Sequence, residues 1–334
     1  MRPPLKKPNF ERQFYAGVRE EFHALQFLFR FHWRMVLLLG VAIGVFLYEV
    51  RPFPPKEITI ATGQPNSSYS SVGAWYQGYF DKHGIKLNLV STNGAVDNNR
   101  LLSEGKVDAA FSQAGVPIPA PGNVVSLGSI EYEPLWLFYR GQRRSDSGSP
   151  RFLENKRVSI GAEGSGTRYM VLDLLSEHSF DATAHENFLV MNVQDSVDAI
   201  RAGKIDAMFL LADMESKQLR VLLDDPDIYI WDFKTSKAIS SKMGYANPVV
   251  FPMGAISLNP VEPAHDIDLV ATHTKILVAK DVHPAIQYLF MMAAGSFYRH
   301  TDVYFNRTGG FPAFIDNEVD KSEVAVKYLR TEST

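Results

Sequence analysis

Gly164-Ser165-Gly166-Thr167-Arg168 is the stretch of this chain best equipped for chemistry. It follows the apolar run Val158–Ile160 and precedes a helix-forming segment, so its backbone N–H groups fall at a helix start. Free amides and the macrodipole favour an anion at such a place. Ser165 and Thr167 can add hydroxyl donors, and Arg168 a bidentate one. Simple capping by Ser165 or Thr167 accounts for the same residues without a ligand. A second turn of similar placement is Gly63-Gln64-Pro65-Asn66-Ser67-Ser68-Tyr69. Thr92-Asn93-Gly94 and Phe111-Ser112-Gln113 sit at the C-terminal ends of expected parallel strands, where open α/β sheets bind their ligands. Ser67, Ser68, Tyr69, Thr92, Asn93, Gln113, Ser165, Gly166, Thr167 and Arg168 are therefore the candidate ligand-binding residues. Tyr132 and Glu133 are either cleft residues or, for Glu133, part of a hinge salt bridge.

Signals for catalysis are poor. Gly-x-Ser-x-Gly, the Walker phosphate loop and His-Glu-x-x-His are missing from the sequence, and Gly161, Gly164 and Gly166 are wrongly spaced for a dinucleotide fingerprint. With no cysteine, thiolate chemistry, disulfides and cysteine-ligated metals are excluded. His265, Asp266, Asp268 and His273 cluster in sequence, but alternation along a strand sends them to different faces. They read as surface or core residues, so neither a metal nor a cofactor is expected.

The elements that must position these turns are duplicated. Gly105-Lys106-Val107-Asp108-Ala109-Ala110-Phe111 returns ninety-eight positions later as Gly203-Lys204-Ile205-Asp206-Ala207-Met208-Phe209. Each copy closes a succession of strand, polar turn, helix, strand, helix, strand. The period is too long for a solenoid unit, which runs about 20–50 residues. It indicates two α/β lobes, each with a parallel sheet. In the first, strands are expected at Ile58–Ala61, Lys86–Ser91 and Asp108–Ser112, with helices at Ser68–Lys82 and Val96–Glu104. In the second, Val158–Ile160, Phe188–Met191, Ala207–Leu211 and Ile228–Phe233 alternate with helices at Arg168–Glu177 and Ser196–Ala202. Leu135–Tyr139 reads as a strand crossing into the second lobe and Leu269–Ala279 as one returning. A last helix is expected at Pro284–Tyr298, and a loop around Asn306–Pro312. Lobe one thus comprises 56–140 plus 270–334, and lobe two 150–265. Two crossings make a hinge over which lobes can close. The repeated Asp108 and Asp206 suggest a structural task rather than a ligand.

Upstream, Met35–Tyr48 is uncharged and apolar. With Trp33 and Val50 as interfacial ends and Arg34 and Arg51 snorkelling, it approaches the roughly 20 residues that cross a bilayer. We read 34–51 as a transmembrane signal anchor. Arg2, Lys6, Lys7, Arg12, Arg19, Arg30 and Arg34 precede it against Glu11, Glu20 and Glu21, which keeps that side in the cytoplasm. The long n-region weighs against cleavage as a signal peptide. Residues 1–33 carry Phe10, Phe14, Val18, Phe22, Leu25 and Phe29 at helical spacing, an amphipathic arm suited to the inner membrane face or a partner protein. Gly40 and Gly44 have the spacing of a helix-dimer contact. The expected setting is a single pass through a bacterial inner membrane, with the C-terminal part periplasmic or otherwise extracytoplasmic. A composition of 46% hydrophobic and 21% charged residues is that of a globular protein, and 334 residues suit about two domains. A net charge of −3 argues against nucleic acid as a partner.

Taken together, several segments resemble one family in order and spacing: the TAXI solute receptors of TRAP transporters, among the type II periplasmic binding proteins. The resemblance rests on Thr59-Ile60-Ala61-Thr62-Gly63, Asn98-Asn99-Arg100-Leu101-Leu102, Gly105-Lys106-Val107-Asp108, Tyr132-Glu133-Pro134-Leu135-Trp136, Gly164-Ser165-Gly166-Thr167 and Gly203-Lys204-Ile205-Asp206-Ala207. It covers residues 57 to 315 and points to the membrane-anchored branch. It implies a two-lobed type II fold with two crossing strands, here preceded by one N-terminal transmembrane helix. It also implies that the lobes close on a small organic anion or amino acid and deliver it to a TRAP-type permease. Asn98 joins the site residues on this ground. The chain departs from the family where Asn66-Ser67 replaces a glycine pair, Ser70 a tyrosine and Ala95 a serine. An accessory or structural subunit of a membrane complex is the alternative.

Overall fold

The computed structural model describes residues 30, 33–46, 53–143, 149–214, 216–300, 305 and 310–332. Two compact units result, Met1–Pro54 and Pro55–Thr334. In the first, residues 33–46 are helical and solvent-exposed, with Met35 68% and Leu38 65% accessible. No helix among the described residues is long and apolar enough to cross a membrane. The expected span 34–51 runs past the described part of this helix, and nearly all of the arm 1–33 lies outside the described residues.

The second unit is built on one ten-stranded sheet. Its first half holds β1 (Glu57–Ala61), α1 (Ser68–Lys82), β2 (Lys86–Val90), α2 (Ala95–Ser103) and β3 (Ala109–Gln113). β4 (Val124–Arg140) then crosses to β5 (Val158–Ser159), α3 (Gly166–Glu177), β6 (Phe188–Leu189), α4 (Val193–Arg201) and β7 (Ala207–Leu211). After α5 (Lys217–Leu223), β8 (Ile228–Ile230), α6 (Ser236–Met243), β9 (Asn247–Phe251) and a small hairpin, β10 (Ser257–Leu258) with β11 (Val261–Glu262), the chain returns along β12 (Ile267–Ala279). It ends in α7 (Pro284–His300) and α8 (Glu323–Glu332). The strand order β2-β1-β3-β12-β4-β7-β5-β6 places the first strand of each half between the other two, all parallel.

The duplication has a physical signature. Asp108 Oδ2 accepts from Thr59 N at 2.7 Å and Thr59 Oγ1 at 2.6 Å, and Asp206 Oδ2 accepts from Arg157 N at 2.9 Å. Both ties span 49 residues. Each aspartate, standing just before the third strand of its half, ties that strand to the first, at Thr59 within β1 and at Arg157 just before β5, the structural task expected of it. Arg157 pairs with Asp206 and holds that carboxyl below the usual range.

Both crossing strands are longer than the sequence indicates. Gly128 and Pro134 inside β4 read as strand breakers, yet the strand runs through 17 residues. Irregular pairing with β12 between Thr274 and Lys275, and again between Ile276 and Leu277, absorbs the mismatch. Two large apolar cores flank the crossing, with a smaller one around Leu102 and Leu277. One contains Leu135 to Tyr139, Phe209, Phe251 and Leu269; the other contains Ile60, Phe111, Ile276 and Phe290. Trp136 is fully buried, with Nε1 donating to Ala212 O at 2.9 Å. Between the cores lies a buried polar belt of Glu131, Glu133, Thr272, His273, Thr274 and Lys275. The segments of α5, α6, β9 and α8 are absent from the sequence-based outline.

Candidate functional site

The two turns singled out in the sequence do meet. They are drawn together because the parallel strands of the two halves run in opposite directions along the crossing pair, β3 beside Thr274–Val278 and β7 beside Leu135–Tyr139, so their C-terminal ends face each other and each turn starts a helix between them. Ser67 caps α1, its side chain accepting from Ser70 N at 3.4 Å, and Ser165 caps α3, accepting from Arg168 N at 3.2 Å. Between the turns lies a cavity of about 50 Å³. Ser67, Ser68, Tyr69, Asn93, Gln113, Ser165, Gly166 and Thr167 line it, with Glu133, Met191, Phe209 and Leu211.

The halves touch directly around this space. Asp97 N donates to Gly164 O at 3.3 Å, Val193 N to Gln64 Oε1 at 3.0 Å, and Asp213 N to Ser68 Oγ at 3.2 Å. Two glycines permit this closeness. Gly94 has φ +136, and a Cβ there would stand 3.2 Å from Ser165 Cα. A Cβ on Gly166 would lie 1.8 Å from Gln113 Oε1. The structure is therefore a closed form, and a space this size holds only a very small molecule.

Three expected residues stand apart from the cavity. Thr92 Oγ1 donates to Asn98 Oδ1 at 2.6 Å, and Asn98 Nδ2 to Phe111 O at 2.7 Å, so these two brace the backbone of the first half. Thr92 borders an outer groove with Arg100 and Gln194 instead. The Arg168 side chain turns to Glu163, with Nε 3.2 Å from Oε2. The cation expected to meet an anion thus pairs through Nε with the Glu163 carboxylate of its own turn, while its buried Nη1 has no hydrogen-bond partner. Thr167 Oγ1 accepts from Leu211 N at 3.3 Å, so this hydroxyl also has a structural partner.

Gln113 behaves differently. It is fully buried, and neither Nε2 nor Oε1 has a hydrogen-bond partner. Such groups are uncommon, since leaving one unmade costs about 1–3 kcal/mol. Glu133, left open in the sequence as cleft or hinge residue, faces the cavity and accepts from Thr274 Oγ1 at 3.2 Å. Burial, then the nearby charge of Asp213, pushes its carboxyl up to about 8. Tyr69, beside it and fully buried, is raised well above the usual phenol range, again chiefly by burial.

The polar belt holds a second group of titratable residues that sequence reading missed. Ser129 Oγ lies 2.8 Å from His273 Nδ1, whose Nε2 lies 3.4 Å from Asp316 Oδ2. Lys275 pairs with Asp316 and Glu318. The residue types are those of a hydrolytic triad, but Ser129 and His273 are 2% and 1% exposed and line none of the described cavities. A nucleophile needs access to a substrate carbonyl, so this row is read as structural. Burial, aided by Lys275, lowers His273 to about 4. A readable signal existed: Thr272-His273-Thr274-Lys275 interrupts an otherwise apolar strand. No group of side chains among the described residues could hold a metal ion.

None of the curated proteins matches this chain. Among solved structures, a protein from Bordetella bronchiseptica RB50 is 13% identical, covering 84% of this chain and 99% of its own, with a TM-score of 0.53. The periplasmic aliphatic sulphonate binding protein SsuA from Escherichia coli is also 13% identical, covering 73% of each chain at a TM-score of 0.45. The BenM effector binding domain with its effector benzoate is 12% identical, covering 79% of this chain and all of that one at 0.48. At such identities the likeness concerns the fold. Two βαβαβ halves joined by two antiparallel crossing strands make it a two-lobed, type II periplasmic-binding-protein-like fold. A family model covers most of this architecture, matching residues 60–294 from β1 into α7, and on that ground the chain belongs to the NMT1-like family.

Proposed function

We propose that this chain is a receptor for a small organic solute, of the carboxylate or amino-acid kind, held between its two lobes. The observation that carries the reading is Gln113: a buried side-chain amide with neither polar atom partnered, lining a cavity to which both lobes contribute. Membership of the NMT1-like family and the two-lobed fold support it. The finer reading is a TAXI-type receptor that hands its solute to a TRAP-type permease. The exposed apolar helix at 33–46 and the basic residues before it support anchoring in a bacterial inner membrane, with the two-lobed unit outside the cytoplasm.

A solute bound to the closed form stabilises it by about 2.7 kcal/mol at a hundredfold excess over Kd. A thermal-shift screen of the full-length chain against small carboxylates and amino acids should therefore raise Tm for at least one member. Gly166→Ala should abolish that shift while the protein stays folded, because the added methyl collides with Gln113. Absence of any shift, with no molecule retained on native mass spectrometry, would sink the receptor reading. The direct hydrogen bonds between lobes favour a second reading, an accessory subunit of a membrane complex closed without a ligand. Co-purification with a membrane partner irrespective of added solute supports that alternative.

A further inference from the structure

The expectation for the helix start was an anion, yet the cavity beneath it is acidic. Among the residues lining the space, the ionisable ones are Glu133 and Tyr69; no arginine, lysine or histidine is among them. Glu133 is 4% exposed. Asp213, 5% exposed, faces it from the segment after β7; Tyr69 reaches it from α1, and Glu131 stands two residues away on β4. Thr274 on β12 supplies one hydroxyl donor. A desolvated carboxylate beside another acid, with no cation in the lining, is a place that a positive charge stabilises. Gln113 gives an independent sign of a guest, because its amide lines the same space with both polar atoms unpartnered. An amide accepts from an N–H donor and donates to an oxygen.

We infer that the interlobe cavity receives a small solute bearing a protonated amine, with its ammonium against the Glu133 carboxylate and its neighbouring polar group on Gln113. This rests on the receptor reading and narrows it to a ligand class; simple carboxylates are disfavoured. A free amine and a zwitterionic amino acid share the ammonium, and differ in whether a carboxylate also meets the start of α3. Because Glu133 is raised to about 8, it holds a proton near neutral pH. An arriving ammonium displaces that proton, so binding below pH 8 releases protons and strengthens as pH rises toward 8.

The test is isothermal titration of the full-length chain at pH 7 with ethanolamine, glycine and acetate, in two buffers of different ionisation enthalpy. Ethanolamine or glycine should bind with net proton release, and Glu133→Gln should weaken that binding at least about tenfold, or about 1.4 kcal/mol. Ethanolamine equal to glycine marks an amine site, whereas glycine much tighter marks a zwitterion site; either outcome supports the inference. Acetate binding as well as glycine, with no proton release, overturns the inference and leaves the receptor reading standing. Silence toward all three overturns the inference; if native mass spectrometry also finds no retained molecule, the receptor reading falls with it. Should Glu133→Gln fail to fold, proton release by the wild-type chain decides.

Discussion

Glu133 and His273 stand on the two adjacent crossing strands, both nearly inaccessible to solvent, and their surroundings differ in kind. His273 is enclosed by Ser129, Asp316 and the Lys275 ammonium, which is itself bound by Asp316 and Glu318. Every charge in that group has an opposite neighbour, and Glu318 also accepts from Gly115 N at 2.9 Å. Glu133 has Thr274 as a donor and a second acid, Asp213, nearby. One region is closed in charge and hydrogen bonding; the other leaves something for a visitor to supply. The contrast teaches that burial alone does not mark a site. What marks it is burial with an incomplete set of partners.

The comparison can be broken most sharply at Lys275. Removing a buried cation that two carboxylates enclose costs about 3–5 kcal/mol. Lys275→Ala should therefore lower stability by that amount in chemical denaturation; a change below 1 kcal/mol would mean that the group is not charge-closed.

Titration sharpens it next. His273 is held neutral at about 4 against an ordinary value of 6.5, so the unfolded chain binds the extra proton first. His273 by itself should lower stability as pH drops from 6.5 toward 4, by on the order of 2–3 kcal/mol, and His273→Gln should remove that component. Glu133 acts with the opposite sign over an overlapping window. Its folded value near 8 exceeds the ordinary 4.5, so its contribution is full below 4.5 and declines as pH climbs to 8. Between 4.5 and 6.5 the two slopes oppose each other, so Glu133→Gln should remove the decline from 6.5 to 8 and steepen the acid loss. Melting curves across pH for both variants separate the two contributions.

The smallest effect tests the duplicated framework on which both regions are hung. Asp108→Asn weakens its acceptance from Thr59 N and Oγ1 and should cost about 1–2 kcal/mol. Asp206→Asn should cost no more, since its Arg157 partner is half exposed. Unequal losses well beyond that range, measured by equilibrium unfolding, would show that the two aspartates do not share a task.

Much of the framework was legible because it depends on local rules. The bounds of α1 and β7 agree with the expected ones, and the other expected strands and helices differ by a few residues at their ends, except β4, which begins eleven residues before the expected Leu135. Polar turns at strand ends marked eight of the eleven candidate residues that line the cavity. Thr92, Asn98 and Arg168 escaped because a side chain's choice of partner depends on neighbours distant in sequence or on a turn's exact path. Asn98 found Phe111 O, and Arg168 found Glu163. Glu133 could be placed near the crossing but not assigned a charge state, since that follows first from its burial and then from Asp213, eighty positions away. The length of β4 was hidden by Gly128 and Pro134, whose tolerance depends on the irregular pairing with β12.

That irregularity has a consequence for how the molecule would sense a guest. Pairing slips between Thr274 and Lys275, and Thr274 is the residue whose hydroxyl reaches Glu133. A charge change on Glu133 would therefore act, through that one bond, on an irregular point of the strands that any opening must twist, with no relay between them.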